Sequence, residues 1–102
     1  TGTPIREFLH VDDLANAVVF ALENRLSKAI YNVGSEDEIL IKELANIIKG
    51  VTNYRGNIIW DKTKPDGTPR KLLDSSNLKE LGWFKKISLL DGINKIYKNH
   101  IF

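Results

Sequence analysis

Pro4-Ile5-Arg6-Glu7-Phe8-Leu9-His10-Val11-Asp12-Asp13-Leu14-Ala15 passes from strand-like to helix-like patterning within one short stretch. Glu7 to Val11 reads as a short strand, bounded upstream by Pro4. Asp12 and Asp13 follow. A carboxylate there accepts hydrogen bonds from the first free amides of a helix and suits the positive end of its dipole. Leu14, Val18 and Leu22 then recur at four-residue spacing, with Ala15 and Val19 beside them. The spacing predicts a helix of about three turns that buries this apolar face and ends near Asn24.

Downstream, Ala29 to Val33 is short, apolar and rich in β-formers, and Gly34-Ser35 stops it. A second helix is expected from Ile41 to Lys49, with Ile41, Leu44, Ile47, Ile48 and Val51 as its buried stripe and Gly50 as its stop. Asn57 to Trp60 reads as another strand. Residues 61–70 carry two prolines, one glycine and no large apolar side chain, so they form a loop. Asp74-Ser75-Ser76 opens a short helix and Leu81-Gly82 closes it. Ser88, with Asp91 three residues on, resembles a capping box at the start of a last helix carrying Leu89, Leu90, Ile93, Ile96 and Tyr97. The order β-α-β-α-β-α-α indicates one small mixed α/β (α+β) domain over residues 1–102, with no repeat and no second domain boundary.

The composition narrows the function classes. The chain has 102 residues, 42% hydrophobic and 27% charged, as in ordinary soluble domains. No apolar run approaches the roughly 20 residues of a membrane helix, so no membrane partner is expected. Without cysteine there is no disulfide, no thiolate nucleophile and no cysteine metal site, which fits a cytoplasmic location. A net charge of +2 is small for a nucleic-acid binder, so none is expected as a partner. The chain contains no methionine and opens directly on Thr1-Gly2-Thr3-Pro4. Both features suggest a piece of a longer polypeptide; a processed but complete protein is the alternative.

Three features can carry chemistry, each with a plainer competitor. Arg6 can fork onto phosphate oxygens, or can be a surface arginine paired with Glu7 or another acid. The 61–71 segment sets Lys62, Lys64, Arg70 and Lys71 against Asp61 and Asp66. Its basic groups can meet a pyrophosphate, and Asp66 can accept from sugar hydroxyls. Equally, Pro65-Asp66-Gly67 is ordinary turn chemistry. His10 before two aspartates hints at a metal or proton relay, but a packed strand histidine beside two helix caps explains it as well. No metal site is expected. There is no Gly-x-Gly-x-x-Gly or Gly-x-x-Gly-x-x-Gly loop, no tyrosine followed four residues later by lysine, and no nucleophile elbow. No catalytic and no cofactor-binding residue is assigned.

The string Pro4 to Ala15 resembles the signature of extended short-chain dehydrogenase/reductases, the NAD-dependent epimerase/dehydratase family. Ile30-Tyr31-Asn32-Val33-Gly34 and Ile41-Lys42-Glu43-Leu44-Ala45 are similar to that family's next strand and helix. Lys64-Pro65-Asp66-Gly67-Thr68-Pro69-Arg70-Lys71-Leu72-Leu73-Asp74 resembles the corresponding loop of the GDP-L-fucose synthase branch, and Leu81-Gly82-Trp83 and Ile87-Ser88-Leu89 agree with it. The resemblance covers essentially the whole chain. It implies the C-terminal substrate-binding portion of an NADP-dependent epimerase/reductase acting on GDP-4-keto-6-deoxy-mannose. The Rossmann half, with its NADP site and its serine, tyrosine and lysine, would lie outside the chain. The fragment alone would then be inactive, some helix faces would be left exposed, and the intact enzyme would be a homodimer. Carried over by position, Arg6, Asp66 and Lys71, and with them Arg70, become substrate-binding candidates. A sister enzyme acting on another GDP-sugar such as a deoxy-heptose, and a non-catalytic sugar-nucleotide-binding module, are the alternatives. Leu40 stands where relatives often place a Ser or Thr helix cap.

Overall fold

A computed structural model describes residues 1–100. At its centre is a three-residue strand, β1 (Ile5–Glu7), antiparallel to β2 (Glu38–Leu40), with Ile5 opposite Leu40, Arg6 opposite Ile39 and Glu7 opposite Glu38. On the other edge of β1, the Ile5 amide donates to the Pro69 carbonyl (2.8 Å) and the Lys71 amide to the Ile5 carbonyl (3.1 Å), a parallel bridge between Ile5 and Arg70. The strand thus lies upstream of the Glu7–Val11 span expected from its residues. Both edges of β1 are occupied, by β2 and by residues 69–71. The expected strands at 29–33 and 57–60 therefore find no ladder partner among the described residues. Their two-residue alternation survives all the same: Tyr31, Val33, Ile58 and Trp60 turn inward, and Ile30 and Ile59 outward.

Among the described residues four helices follow this frame: α1 (Val11–Glu23), α2 (Ile41–Thr52), α3 (Ser76–Glu80) and α4 (Leu89–Asn99). α1 begins at Val11, within the span expected to be strand and ahead of the expected caps Asp12 and Asp13, and it turns a different face inward. Asp13 and Ala17 are buried, with Phe20 packed behind them, whereas Leu14, Val18 and Leu22 are exposed, Leu22 by 82%. Moving one position along a helix rotates the face by about 100°. The rotation is set by Asp13, whose carboxylate is drawn inward by backbone donors. α2 lacks a side-chain cap at Leu40, and its first free amides are satisfied otherwise: Ile41 donates to the Pro4 carbonyl (3.0 Å) and Lys42 to that of Gly2 (2.8 Å). α3 ends as expected at Leu81-Gly82, where Gly82 at φ +102° lets the Trp83 amide reach back to the Leu78 carbonyl (3.1 Å). α4 carries the expected cap, Ser88 Oγ accepting from the Asp91 amide at 3.1 Å, and packs against α2.

α2 does not stop at Gly50. It runs on to Thr52 and closes at Asn53, which adopts the left-handed conformation at φ 56°. A Cβ on Gly50 would meet nothing within 4 Å. Gly50→Ala is therefore expected to stabilise the chain by about 0.5–1 kcal/mol, because alanine loses less backbone entropy in a helix. A urea midpoint unchanged from the parent would contradict the helical geometry at this position.

Among the described residues the buried hydrophobic side chains are Ala17, Leu78 and Trp83, with Leu9, Phe20, Tyr31 and Val33 packed around them. That is a thin core. The radius of gyration is 16.2 Å, against about 13 Å for a closed domain of this length. The accessible surface is 7636 Å², about 1,800 Å² more than mass scaling gives for a self-contained monomer. The excess includes an apolar strip on α1 made of Val11, Leu14, Val18, Val19 and Leu22.

Candidate functional site

The His10-Val11-Asp12-Asp13 motif is structural. His10 is the residue that caps α1: its Nδ1 accepts from the Asp12 amide at 3.0 Å. Asp12 pairs with Lys95 of α4 at 2.6 Å, and that ammonium holds its carboxyl below the ordinary aspartate value. Asp13, 1% exposed, accepts from the amides of Lys86 and Ile87, both at 3.0 Å. The carboxylates expected to cap α1 thus reach away from it and tie it to the segments around α4. No group of three or more potential metal ligands gathers among the described residues.

Arg6 has another setting. On β1 it points away from the face shared by Ile5 and Glu7, as strand alternation requires. Glu7 is not its partner: that carboxylate accepts from the amides of Glu36 (2.6 Å) and Leu73 (2.8 Å). Gly34 makes room for it, since a Cβ there would lie 2.6 Å from Glu7 Oε1. Arg6 Nη1 donates to the carbonyl of Ile5 at 2.8 Å, and no carboxylate among the described residues forms an ion pair with the guanidinium.

Arg6 opens onto a cleft of about 340 Å³ whose other polar walls include Lys64 and Asp66, with Trp60 and Ile41 as apolar walls. Gly67, at φ +79°, turns the loop under the guanidinium; a Cβ there would lie 3.8 Å from Arg6 Nη2. Asp66 accepts from the Thr1 hydroxyl (2.6 Å), which fixes one carboxylate oxygen at the mouth of the cleft.

The remaining two candidates separate. Alternation about the Ile5–Arg70 bridge sets Lys71 on the Arg6 side of the sheet and Arg70 on the opposite side. There Arg70 Nε bonds the Glu38 carboxylate, relieving the like charges of Glu7 and Glu38 that face each other across the ladder. Reading the sequence missed Trp60 as a cleft residue. The available signal was an aromatic at the inward phase of 57–60, immediately before the basic loop.

No dinucleotide cradle is formed among the described residues. Such a site needs a helix N-terminus with free amides behind a glycine-rich turn. Here no glycine-rich turn leads into a helix start: two first-turn amides of α2 bond the Pro4 and Gly2 carbonyls, and one first-turn amide each of α1 and α4 bonds His10 and Ser88. No helix among the described residues is long and apolar enough to cross a membrane.

Comparison with known proteins agrees with this architecture. A family model described as NAD dependent epimerase/dehydratase family matches residues 1–34. GDP-L-fucose synthase 1 of Arabidopsis thaliana is 55% identical over 97 residues, covering 95% of this chain and 30% of that protein. The GDP-L-fucose synthase of Escherichia coli K12 is 43% identical over 109 residues, covering 96% of this chain and 33% of that protein. Among solved structures, a GDP-6-OMe-4-keto-L-xylo-heptose reductase from C. jejuni superposes with a TM-score of 0.88 at 35% identity, covering 96% of this chain and 31% of that one. The chain spans about a third of the length of the curated relatives it matches. The motif at residues 4–15, the match of residues 1–34 to that family model and the likeness of nearly the whole chain to GDP-L-fucose synthases agree with one another.

Proposed function

We propose that this chain is the substrate-binding portion of an NADP-dependent GDP-L-fucose synthase, which converts GDP-4-keto-6-deoxy-mannose to GDP-L-fucose by epimerisation and reduction. The observation that carries the reading is the Arg6 guanidinium, without an ion-pair partner among the described residues, facing a cleft that also holds Lys64 and Asp66. A guanidinium in this position forks onto two diphosphate oxygens. Lys71, on the same side of the sheet, adds a second positive charge, and Asp66 accepts from sugar or base hydrogen-bond donors. Arg70 would have to leave Glu38 to reach the same ligand, so its main role is to hold the 69–71 segment against β1.

NADP would be bound by a Rossmann half supplied outside these residues. The relatives are about three times as long, and the exposed apolar strip on α1 is suited to pack against such a half. The intact enzyme would be a cytoplasmic homodimer, and residues 1–102 alone would turn over no substrate.

Calorimetric titration of the chain with GDP-mannose or GDP-fucose, beside UDP-sugars and NADPH, tests the reading. Binding of the GDP-sugars without NADPH binding is expected. Absence of GDP-sugar binding, in a chain shown by circular dichroism to be folded, would overturn the assignment of this cleft.

A further inference from the structure

Trp60 lies between two depressions. One is the Arg6 cleft; the other, of about 390 Å³, is lined by Lys42, Asn46 and Lys49 of α2 together with Asn57, Ile58 and Trp60 itself. The indole is seated against the backbone of Gly2. A Cβ on Gly2 would fall 2.7–2.9 Å from ring atoms Cζ2, Cη2 and Cε2, and Gly2 has φ +79°, so only glycine admits the ring there. The ring is thereby fixed on one side and remains partly exposed.

The second depression has an unusual charge. Lys42, Asn46 and Lys49 share one face of α2 by their spacing of four and three. Neither lysine forms an ion pair among the described residues, and no acidic side chain lines the depression. Two ammonium donors and two amides, each both donor and acceptor, stand at the edge of a fixed aromatic ring. A purine carrying O6 and N7 presents two acceptors on one edge, which suit cationic donors, and its face suits an aromatic wall.

We propose that Trp60 is the stacking wall for the nucleobase and that the α2 depression beside it recognises the base edge, so that a guanine nucleotide lies across Trp60 with its diphosphate at Arg6. The inference rests on the function proposed above and adds to it the residues that select the base. Trp60 is a positioning and specificity residue.

Fluorescence tests it directly. The chain has two tryptophans, and Trp83 is 6% exposed in the core, so quenching by an added nucleotide reports on Trp60. GDP, UDP and inorganic pyrophosphate are titrated into the parent, Trp60→Phe, Trp60→Ala and a Lys42→Ala/Lys49→Ala double variant, with calorimetry for the two Trp60 variants, which lack the reporting ring. GDP is expected to quench the parent. Trp60→Ala is expected to lose about tenfold or more in GDP affinity, the scale of one base–aromatic stack, with pyrophosphate binding retained. Trp60→Phe is expected to recover most of that loss, and the double variant to lose the preference for GDP over UDP. Unchanged GDP affinity in Trp60→Ala, with binding still abolished by Arg6→Glu, would overturn this inference and leave the proposed function standing. Failure of the folded parent to bind any of the three ligands would overturn both. Should Trp60→Ala unfold, the double variant decides: GDP preference retained there overturns the role of the depression.

Discussion

Asp13→Ala is expected to lower the unfolding free energy by about 3 kcal/mol or more. The carboxylate is buried at 1% exposure and accepts two backbone hydrogen bonds, from Lys86 and Ile87. A hydrogen bond to a charged group contributes about 1.5–3 kcal/mol, and a buried donor left without an acceptor costs about 1–3 kcal/mol. The substitution removes both acceptors at once and leaves a cavity where the carboxylate stood. Small domains have about 5–15 kcal/mol in total, and this one has a thin core, so the loss is a large share. Asp13→Asn keeps one acceptor oxygen but turns an amide NH2 toward the second donor, so it should fall between alanine and the parent. Urea unfolding followed by circular dichroism reads the effect as a shift in midpoint. A change below about 1 kcal/mol for alanine would mean that the 86–87 amides find another acceptor, and that Asp13 does not hold α1 in its observed rotation.

The second large effect is on binding. Arg6→Glu should weaken GDP-sugar affinity by about a hundredfold or more, the scale on which reversing one partner of a hydrogen-bonded charge pair acts. Arg6→Lys keeps the charge but loses the fork, so an intermediate loss of about tenfold is expected. Stability should change little. The hydrogen bond from Arg6 to the Ile5 carbonyl is local, no carboxylate is left unpaired by the change, and Glu7 is held by other donors. Calorimetry on the two variants, with circular dichroism to confirm the fold, measures both quantities. An unchanged dissociation constant for Arg6→Glu would remove Arg6 from the site and with it the main support for the proposed function.

The four helices are legible because their signals are local. Ser88 with Asp91, the Leu81-Gly82 stop and the apolar periodicity of α2 and α4 each depend on residues within a turn or two of one another. The strands are less legible, because a strand exists only with a partner. Ala29–Val33 and Asn57–Trp60 have the composition and the alternation of strands, yet β1 has only two edges and both are filled from elsewhere. The site divides in the same way. Arg6 and the basic loop stand out by residue type, but the loop's own letters do not say that Arg70 turns to Glu38 while Lys71 turns to the Arg6 side. A single parallel bridge to Ile5 makes that distinction.

The sequence by itself determined the family motif at residues 4–15, the mixed α and β character, the places where α2, α3 and α4 begin, and a cationic loop suited to phosphate. Only the tertiary structure decided which helix face points inward, which acids are caps and which are long-range ties, and which basic residues share a cleft with Trp60. The reason is one of range. Capping, turn chemistry and periodicity act between residues a few positions apart. The rotation of α1 depends on amides 73 and 74 positions beyond Asp13, and the cleft on contacts between residues near the start of the chain and a loop some 60 positions on.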